Sequence, residues 1–461
     1  MINRKYKKIL IIFTLFNICI NLCLNTSSSI FLNTQFISKN TYNPDSNKIK
    51  SSNLSYIDNN EHKIFWFIQI TDTQFVWSAN ESIANFYQLL NETFHQINPL
   101  FIYNTGDLVD ANNGALQDID EWSLYRKALE DNNMNSSIYI DLIGNHDASN
   151  DFDFSYYLNY SMIGSTFNTL QYSFNKTFSF GNYAFIGLNT AKSSYNLIEF
   201  AFLGFLNTTE LDWYEKELYH YRNFDKIFVF GHHPHKYPPT FTIASDLSSS
   251  GKTFSDLNTE FNVNYYLSGH VHVDSFQNEN NFLAITTSNF NLNGGTYRII
   301  ALDHNQLSTS IETVGSWPQA IITYPSSESA LIQNINKIRI LAWDPHGINS
   351  VEYSLHSNKK EFQITNWEPL TNINSNGPLW EKDLDIQLNG KYILKVKVEG
   401  GSGQVIKEIY FTSNTGWGYE FTILFIFTII TLISISIIIL NYSRDHIDKF
   451  KKKAINLYRE K

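Results

Sequence analysis

Five short polar clusters in this chain carry residue types that hold metal ions. They read Asp72-Thr73-Gln74, Gly106-Asp107-Leu108-Val109-Asp110, Gly144-Asn145-His146-Asp147, Gly231-His232-His233-Pro234 and Gly269-His270-Val271-His272. Carboxylate, carboxamide and imidazole together suit borderline and hard divalent ions such as Zn, Mn or Fe, and no thiolate takes part. Two ions about 3.5–4 Å apart need a shared ligand, for which a carboxylate is the natural choice. Glycine ahead of Asp107, Asn145, His232 and His270 lets the backbone turn tightly beside the ions.

Each cluster follows an apolar run, at 64–71, 100–104, 138–142, 227–230 and 265–267. Runs of that length read as buried strands. Between them Ile83, Phe86, Leu90, Phe94 and Ile97 recur at helical spacing behind Ser82, a candidate N-cap. Ile119, Trp122 and Leu129 form a second stripe. Leu211, Tyr214, Leu218 and Tyr221 form a third, entered through Thr209 with Asp212 three residues on. Alternation of this kind predicts an α/β fold with helices over the sheet faces. Loops at the carboxyl ends of strands converge on one crevice in such sheets, so clusters from Asp72 to His272 can meet. Residues 170–189 and 282–312 read as hairpins, with Gly181-Asn182 and His304-Asn305 as turns. His233 and His235 read as flanking residues facing solvent or substrate, and Asp151 and Asp153 as caps of a helix starting near Phe154.

In this order the clusters resemble the motif series of the calcineurin-like metallophosphoesterases: D-x-H, G-D-x-x-[DNY], G-N-H-[DE], a histidine two before proline, and G-H-x-H. Four are intact and the first is altered. The exported region also resembles the transmembrane protein 62 family, in Glu121-Trp122 and in stretches 140–150, 265–272, 297–304 and 317–325. The resemblance implies a calcineurin-like phosphoesterase β-sandwich flanked by helices, followed by an Ig-like all-β domain and one C-terminal transmembrane helix.

By that resemblance Asp72 and His272 bind a first metal, Asp107 bridges, and Asn145, His232 and His270 complete a second site. A metal-bridging hydroxide would attack phosphorus in line, His146 would protonate the leaving oxygen, and Asp147 would orient His146. The cofactors implied are two divalent or transition ions (Mn, Fe or Zn), and the partner is a phosphoester substrate whose class the sequence does not specify. Gln74 stands where the family has a metal-binding histidine; its amide oxygen is a weaker, neutral donor that favours harder ions. Asp110 matches a position where one branch of the superfamily supplies an alternative ligand. Two outcomes stay open: Asp110 or Gln74 completes the first site, or that site is impaired and the chain is a binding or adhesion protein on a phosphoesterase fold.

The chain has 461 residues and a formal net charge of −10. That length allows two or three domains, and the acidic balance argues against a nucleic-acid binder. Arg4, Lys5, Lys7 and Lys8 precede an apolar run at 9–24, so residues 1–27 read as a signal peptide or signal anchor. Residues 421–440 are uncharged and long enough for the hydrocarbon core, flanked by Trp417, Tyr419 and Tyr442 and then by Arg444, Lys449, Lys451, Lys452 and Lys453. A transmembrane helix at 419–442 with a basic cytoplasmic tail at 443–461 makes this a single-pass type I membrane protein, its bulk lumenal or extracellular. Cys19 and Cys23 lie in the first run, so no disulfide holds the exported part. Sequons at Asn53, Asn80, Asn91, Asn135, Asn159, Asn175 and Asn207 fit a glycoprotein. The phosphoesterase domain is expected at 63–314. Short strands about every ten residues then mark a β-sandwich at 318–413.

Overall fold

Strand β1 (Ile64–Ile70) shows why the apolar runs are long: all seven of its residues are buried, Gln69 among them. Ile64, Trp66, Ile68 and Ile70 face one apolar cluster, Phe65 and Phe67 another. A strand covered on both faces cannot alternate with polar residues.

The computed structural model describes residues 59–413, apart from 77–79, 194–202, 237–242, 280–281, 292–293, 329–334, 359–361, 374–376, 385–387 and 389, together with 431 and 449. The expected leader at 1–27, the span at 419–442 and the tail at 443–461 lie outside the described residues, save Thr431 and Lys449. Among the described residues no helix is long and apolar enough to cross a membrane.

After β1 come β2 (Ile102–Asn104), β3 (Tyr139–Asp141), β4 (Tyr172–Phe178), β5 (Gly181–Gly187), β6 (Phe205–Leu206), β7 (Lys226–Phe230), β8 (Ala244–Ser245) and β9 (Tyr265–Ser268). Next are β10 (Ser275–Glu279), β11 (Phe282–Thr286), β12 (Thr296–Asp303) and β13 (Gln306–Thr313). One sheet has the order β13-β12-β1-β2-β3, the other β10-β11-β9-β7-β5-β4, and β6 pairs only with β8. β1, β2 and β3 run parallel, as do β5, β7, β9 and β11. The sheets face each other across a largely aromatic core that includes Phe67, Phe101, Tyr103, Phe185, Phe228 and Phe230. Tyr103 and Phe230 stack there with centroids 3.7 Å apart. Helices Asn80–Gln88 and Ile119–Asp131 cover the first sheet, and Thr208–Tyr221 and Phe254–Glu260 cover the second. The result is a mixed α/β sandwich flanked by helices.

Local signals differ from the sequence reading in four places. Ser82 is buried as the third residue of its helix, which begins before it. The third helix begins earlier, with a capping box between Asn207 and Glu210 in place of Thr209 and Asp212. Gly181 and Asn182 lie within β5, so the first hairpin turns before them. Residues 282–312 are not one hairpin: β11 pairs parallel with β9, whereas β12 and β13 form a hairpin in the other sheet. Asp151 does cap its helix, accepting from Tyr156 N at 2.8 Å.

Further β-sheet follows: β14 (Gln319–Tyr324), β15 (Lys337–Trp343), β16 (Ile348–Ser357), β17 (Phe362–Gln363), β18 (Glu368–Pro369), β19 (Thr371–Asn372), β20 (Leu379–Asp383), β21 (Gly390–Gly400) and β22 (Gly403–Ser413). Sheets β14-β15-β20-β19 and β17-β16-β21-β22 enclose a core that includes Ile340, Tyr353, Leu394 and Val396. This region packs on the first: Trp343 meets Trp66 at 5.8 Å, and Lys407 Nζ reaches the buried Glu312 at 2.5 Å.

Candidate metal centre

The parallel strands of both sheets deliver their carboxyl ends to one place. Gln69 pins the sheets together there. Its Nε2 donates to Ser268 O at 3.0 Å, and its Oε1 accepts from Thr287 Oγ1 at 2.8 Å. Beyond β1 and β2 the loops stay parallel, with Asp72 N on Gly106 O and Gln74 N on Asp107 O, each at 2.9 Å.

Asp107 is the meeting point. Its Oδ2 lies 3.2 Å from His232 Nε2 and 3.8 Å from His146 Nε2, and its Oδ1 accepts from the His146 amide at 2.9 Å. Asn145 Oδ1 stands 3.0 Å from His232 Nε2. One ligand atom from each of Asp107, His232 and His270 lies within 4.8 Å of the others, a spacing a single cation can span. Asp72 and His272 pair alongside, Oδ1 to Nε2 at 3.3 Å. Asp72 Oδ2 accepts from Thr71 Oγ1 at 2.7 Å and from His270 N at 3.0 Å. Its Oδ1 is buried and, among the described residues, has no well-formed hydrogen bond beyond this long approach of His272 Nε2. A fully buried carboxylate oxygen left this way is what a cation would satisfy. His232 fits the same purpose: Nδ1 donates to Thr105 O at 3.0 Å, so Nε2 can present a lone pair.

The backbone is strained where these side chains converge. Asp72, Gln74, Asp107, His270 and His272 all have φ between 40° and 71°. Each such residue costs about 1–3 kcal/mol and persists only when its surroundings dictate it. Close approach is equally demanding. A Cβ on Gly144 would lie 2.1 Å from Asp107 Oδ1, and one on Gly269 1.8 Å from Thr71 Oγ1.

Electrostatics follow the geometry. Burial alone would raise the Asp107 carboxyl, but His232, His146 and His270 hold it well below the usual carboxylate range. Burial works against protonated His232, and Asp107 overrides it, lifting the imidazole to about 9. His146 is raised too, by Asp107 and the Asp110 carbonyl against its burial. The bond to Asp72 raises His272.

Three sequence expectations change. Asp147 does not hydrogen-bond the His146 ring: its oxygens accept from Leu108 N at 2.9 Å, Val109 N at 3.1 Å and Gly144 N at 2.7 Å. Asp110 O orients the ring instead, accepting from His146 Nδ1 at 2.7 Å. The Asp110 carboxylate accepts from Asn113 N at 2.6 Å. His233 and His235 do not face solvent: both are buried, with His233 Nδ1 on Thr190 Oγ1 at 2.9 Å. Thr190 Oγ1 also accepts from His232 N at 3.2 Å, which turns that loop inward. Gln74 is buried beside Asp107 through its backbone, and Asn291 Nδ2 donates to its carbonyl at 3.4 Å.

The family model for calcineurin-like phosphoesterases matches residues 65–274, the stretch that carries every residue of this centre. These residues form a calcineurin-like phosphoesterase domain. A metallophosphoesterase of Arabidopsis thaliana is 26% identical over 231 residues, covering 45% of this chain and 30% of that protein. The chain therefore matches less than a third of that relative's length. Among solved structures, the GAP50 anchor of the Plasmodium inner membrane complex is 13% identical at a TM-score of 0.35, covering 55% of this chain and 85% of that one. A 5′-nucleotidase from Staphylococcus aureus, in complex with α-ketoglutarate, is 16% identical at 0.33, covering 55% of each chain.

Proposed function

We propose that this chain is a metal-dependent phosphoester hydrolase, carried by one observation above the rest: Asp107, His232 and His270 gather within bonding reach of a single cation beside the Asp72–His272 pair. Asp72 and His272 would hold one divalent ion and Asn145, His232 and His270 a second, with Asp107 shared. Bound divalent ions supply a water acidified toward neutrality and positive charge for the non-bridging phosphoryl oxygens. The protein's own contribution is readable at His146. Because Nδ1 donates to a carbonyl, which can only accept, Nε2 carries a proton only in the imidazolium form. The raised pKa favours that form, so His146 is set to give a proton to the departing oxygen, a role worth about 10²–10⁴-fold. Asp147 serves by clamping the 107–109 loop onto Gly144.

The reading extends to an anchored protein of the transmembrane protein 62 kind, with the phosphoesterase domain and an Ig-like β-sandwich lumenal or extracellular. Its support is the uncharged run at 421–440, the basic residues after it and the basic N-terminus. A second reading, a phosphoesterase fold kept for binding without turnover, is favoured by Gln74 and by the appended β-sheet region. The purified chain, supplied with Mn²⁺, should hydrolyse p-nitrophenyl phosphate or its diester, and Asn145→Ala and His270→Ala should each abolish this. Unchanged turnover in both variants would refute the assignment.

A further inference from the structure

The loop that orients His146 is itself under strain. From Ala111 to Gly114 four consecutive residues have positive φ: 51°, 52°, 58° and 73°. Three of them are not glycine, and a left-handed residue costs roughly 1–2 kcal/mol. Something must hold this turn, because Asp110 O, at its entrance, accepts the His146 Nδ1 proton.

The N-terminal turn of helix Ile119–Asp131 supplies the hold. Glu121 is fully buried, and its Oε2 accepts from Ala111 N at 2.8 Å. Among the described residues its buried Oε1 has no hydrogen-bond partner, so the side chain is spent on this one amide. Burial pushes the carboxyl up to about 7, and His146 is among the groups that lower it. Neighbouring contacts close the remaining sides. Gln117 Nε2 donates to His146 O and Ser149 O, both at 2.8 Å, and Trp122 Nε1 fixes Gln117 Oε1 at 2.8 Å. Ser149 Oγ donates to Gly114 O at 2.5 Å, and Asn150 Nδ2 donates to Ala115 O.

We propose that Glu121 is a positioning residue for His146, acting through the Ala111 amide and the left-handed turn to fix the carbonyl that holds the ring. The inference rests on the hydrolase reading for its effect on rate, and on geometry alone for its effect on the ring. An amide oxygen can replace Oε2, so Glu121→Gln keeps the turn, whereas Glu121→Ala releases it.

The test uses the full chain with ring-¹⁵N histidine, the His146 signal being assigned by its loss in His146→Gln. In the wild type and in Glu121→Gln, His146 shows a protected Nδ1–H; in Glu121→Ala that proton exchanges freely. In parallel, Glu121→Ala loses about 10–100-fold on an alkyl phosphate and little on p-nitrophenyl phosphate, because only the poor leaving group needs a well-placed acid. The metal content stays as in the wild type. Retention of the protected proton in Glu121→Ala, or its loss in Glu121→Gln, overturns the proposal. A wild type that hydrolyses neither ester refutes the hydrolase reading, while the ring signal still decides the role of Glu121.

Discussion

His232 Nε2 stands 3.2 Å from Asp107 Oδ2, although the two residues come from different sheets. The contact joins the loop after β2 to the loop after β7, and the centre depends on it. Asp107→Asn keeps the shape and removes the charge that lifts His232 to about 9. Loss of an outer partner already costs 10–100-fold in metal affinity, so loss of this ligand should cost more. Metal titration of the variant should show weakening beyond about 10²-fold, with aryl phosphate turnover falling to background. Wild-type affinity would mean Asp107 is no ligand.

Gln74 tests whether the first site works as it stands. Gln74→His substitutes an imidazole for a neutral oxygen donor, which favours Zn over harder ions. The wild type should already turn over aryl phosphate with Mn²⁺, and the variant should shift its preference toward Zn²⁺. An inert wild type that gains activity in Gln74→His would support the binding-protein reading.

Asp141 gives a pH signature from a residue that is no candidate metal ligand. Burial pushes its carboxyl up to about 6 from 3.8, against the lowering effect of the Ile163 and Met162 amides. A raised carboxyl means the folded state holds the proton more tightly than the unfolded state. The contribution of Asp141 to stability is therefore greatest below about pH 4, declines as pH rises to about 6, and is flat above. The fall should be on the order of 3 kcal/mol. Urea unfolding of wild type and Asp141→Asn between pH 4 and 7 should show the difference between them changing in that direction. A constant difference would show that Asp141 titrates normally.

The Glu312–Lys407 pair joins the two β regions. Glu312 is buried, and burial raises its carboxyl despite Lys407 at 2.5 Å. Lys407→Ala strands that carboxylate and should cost up to about 3–5 kcal/mol in chemical unfolding at neutral pH, with Lys407→Ala/Glu312→Gln recovering much of the loss. A loss below 1 kcal/mol would show that the pair is solvent-screened.

The sequence was informative where burial is two-sided. β1, β7 and β9 are mostly apolar because both faces are covered, and the polar cluster after each one announces a loop. The resemblance misled at Asp147, which turns away from the His146 ring into the amides of the neighbouring loop. Gln69, Thr105 and Thr190 were passed over, since a buried polar residue is identified by its partners and those lie far away in sequence. Gln69 left one signal: a carboxamide within the otherwise apolar Ile64–Ile70 run. The switch of β11 and β12 between sheets left none, because apolar strands look alike whichever sheet they join.

Elemental analysis of the purified full chain by inductively coupled plasma mass spectrometry bears most directly on the whole account. The centre predicts close to two transition-metal ions per wild-type chain, falling to one or fewer in Asn145→Ala and His270→Ala. A wild-type chain that retains no metal after exposure to Mn²⁺, Fe²⁺ or Zn²⁺ would contradict it.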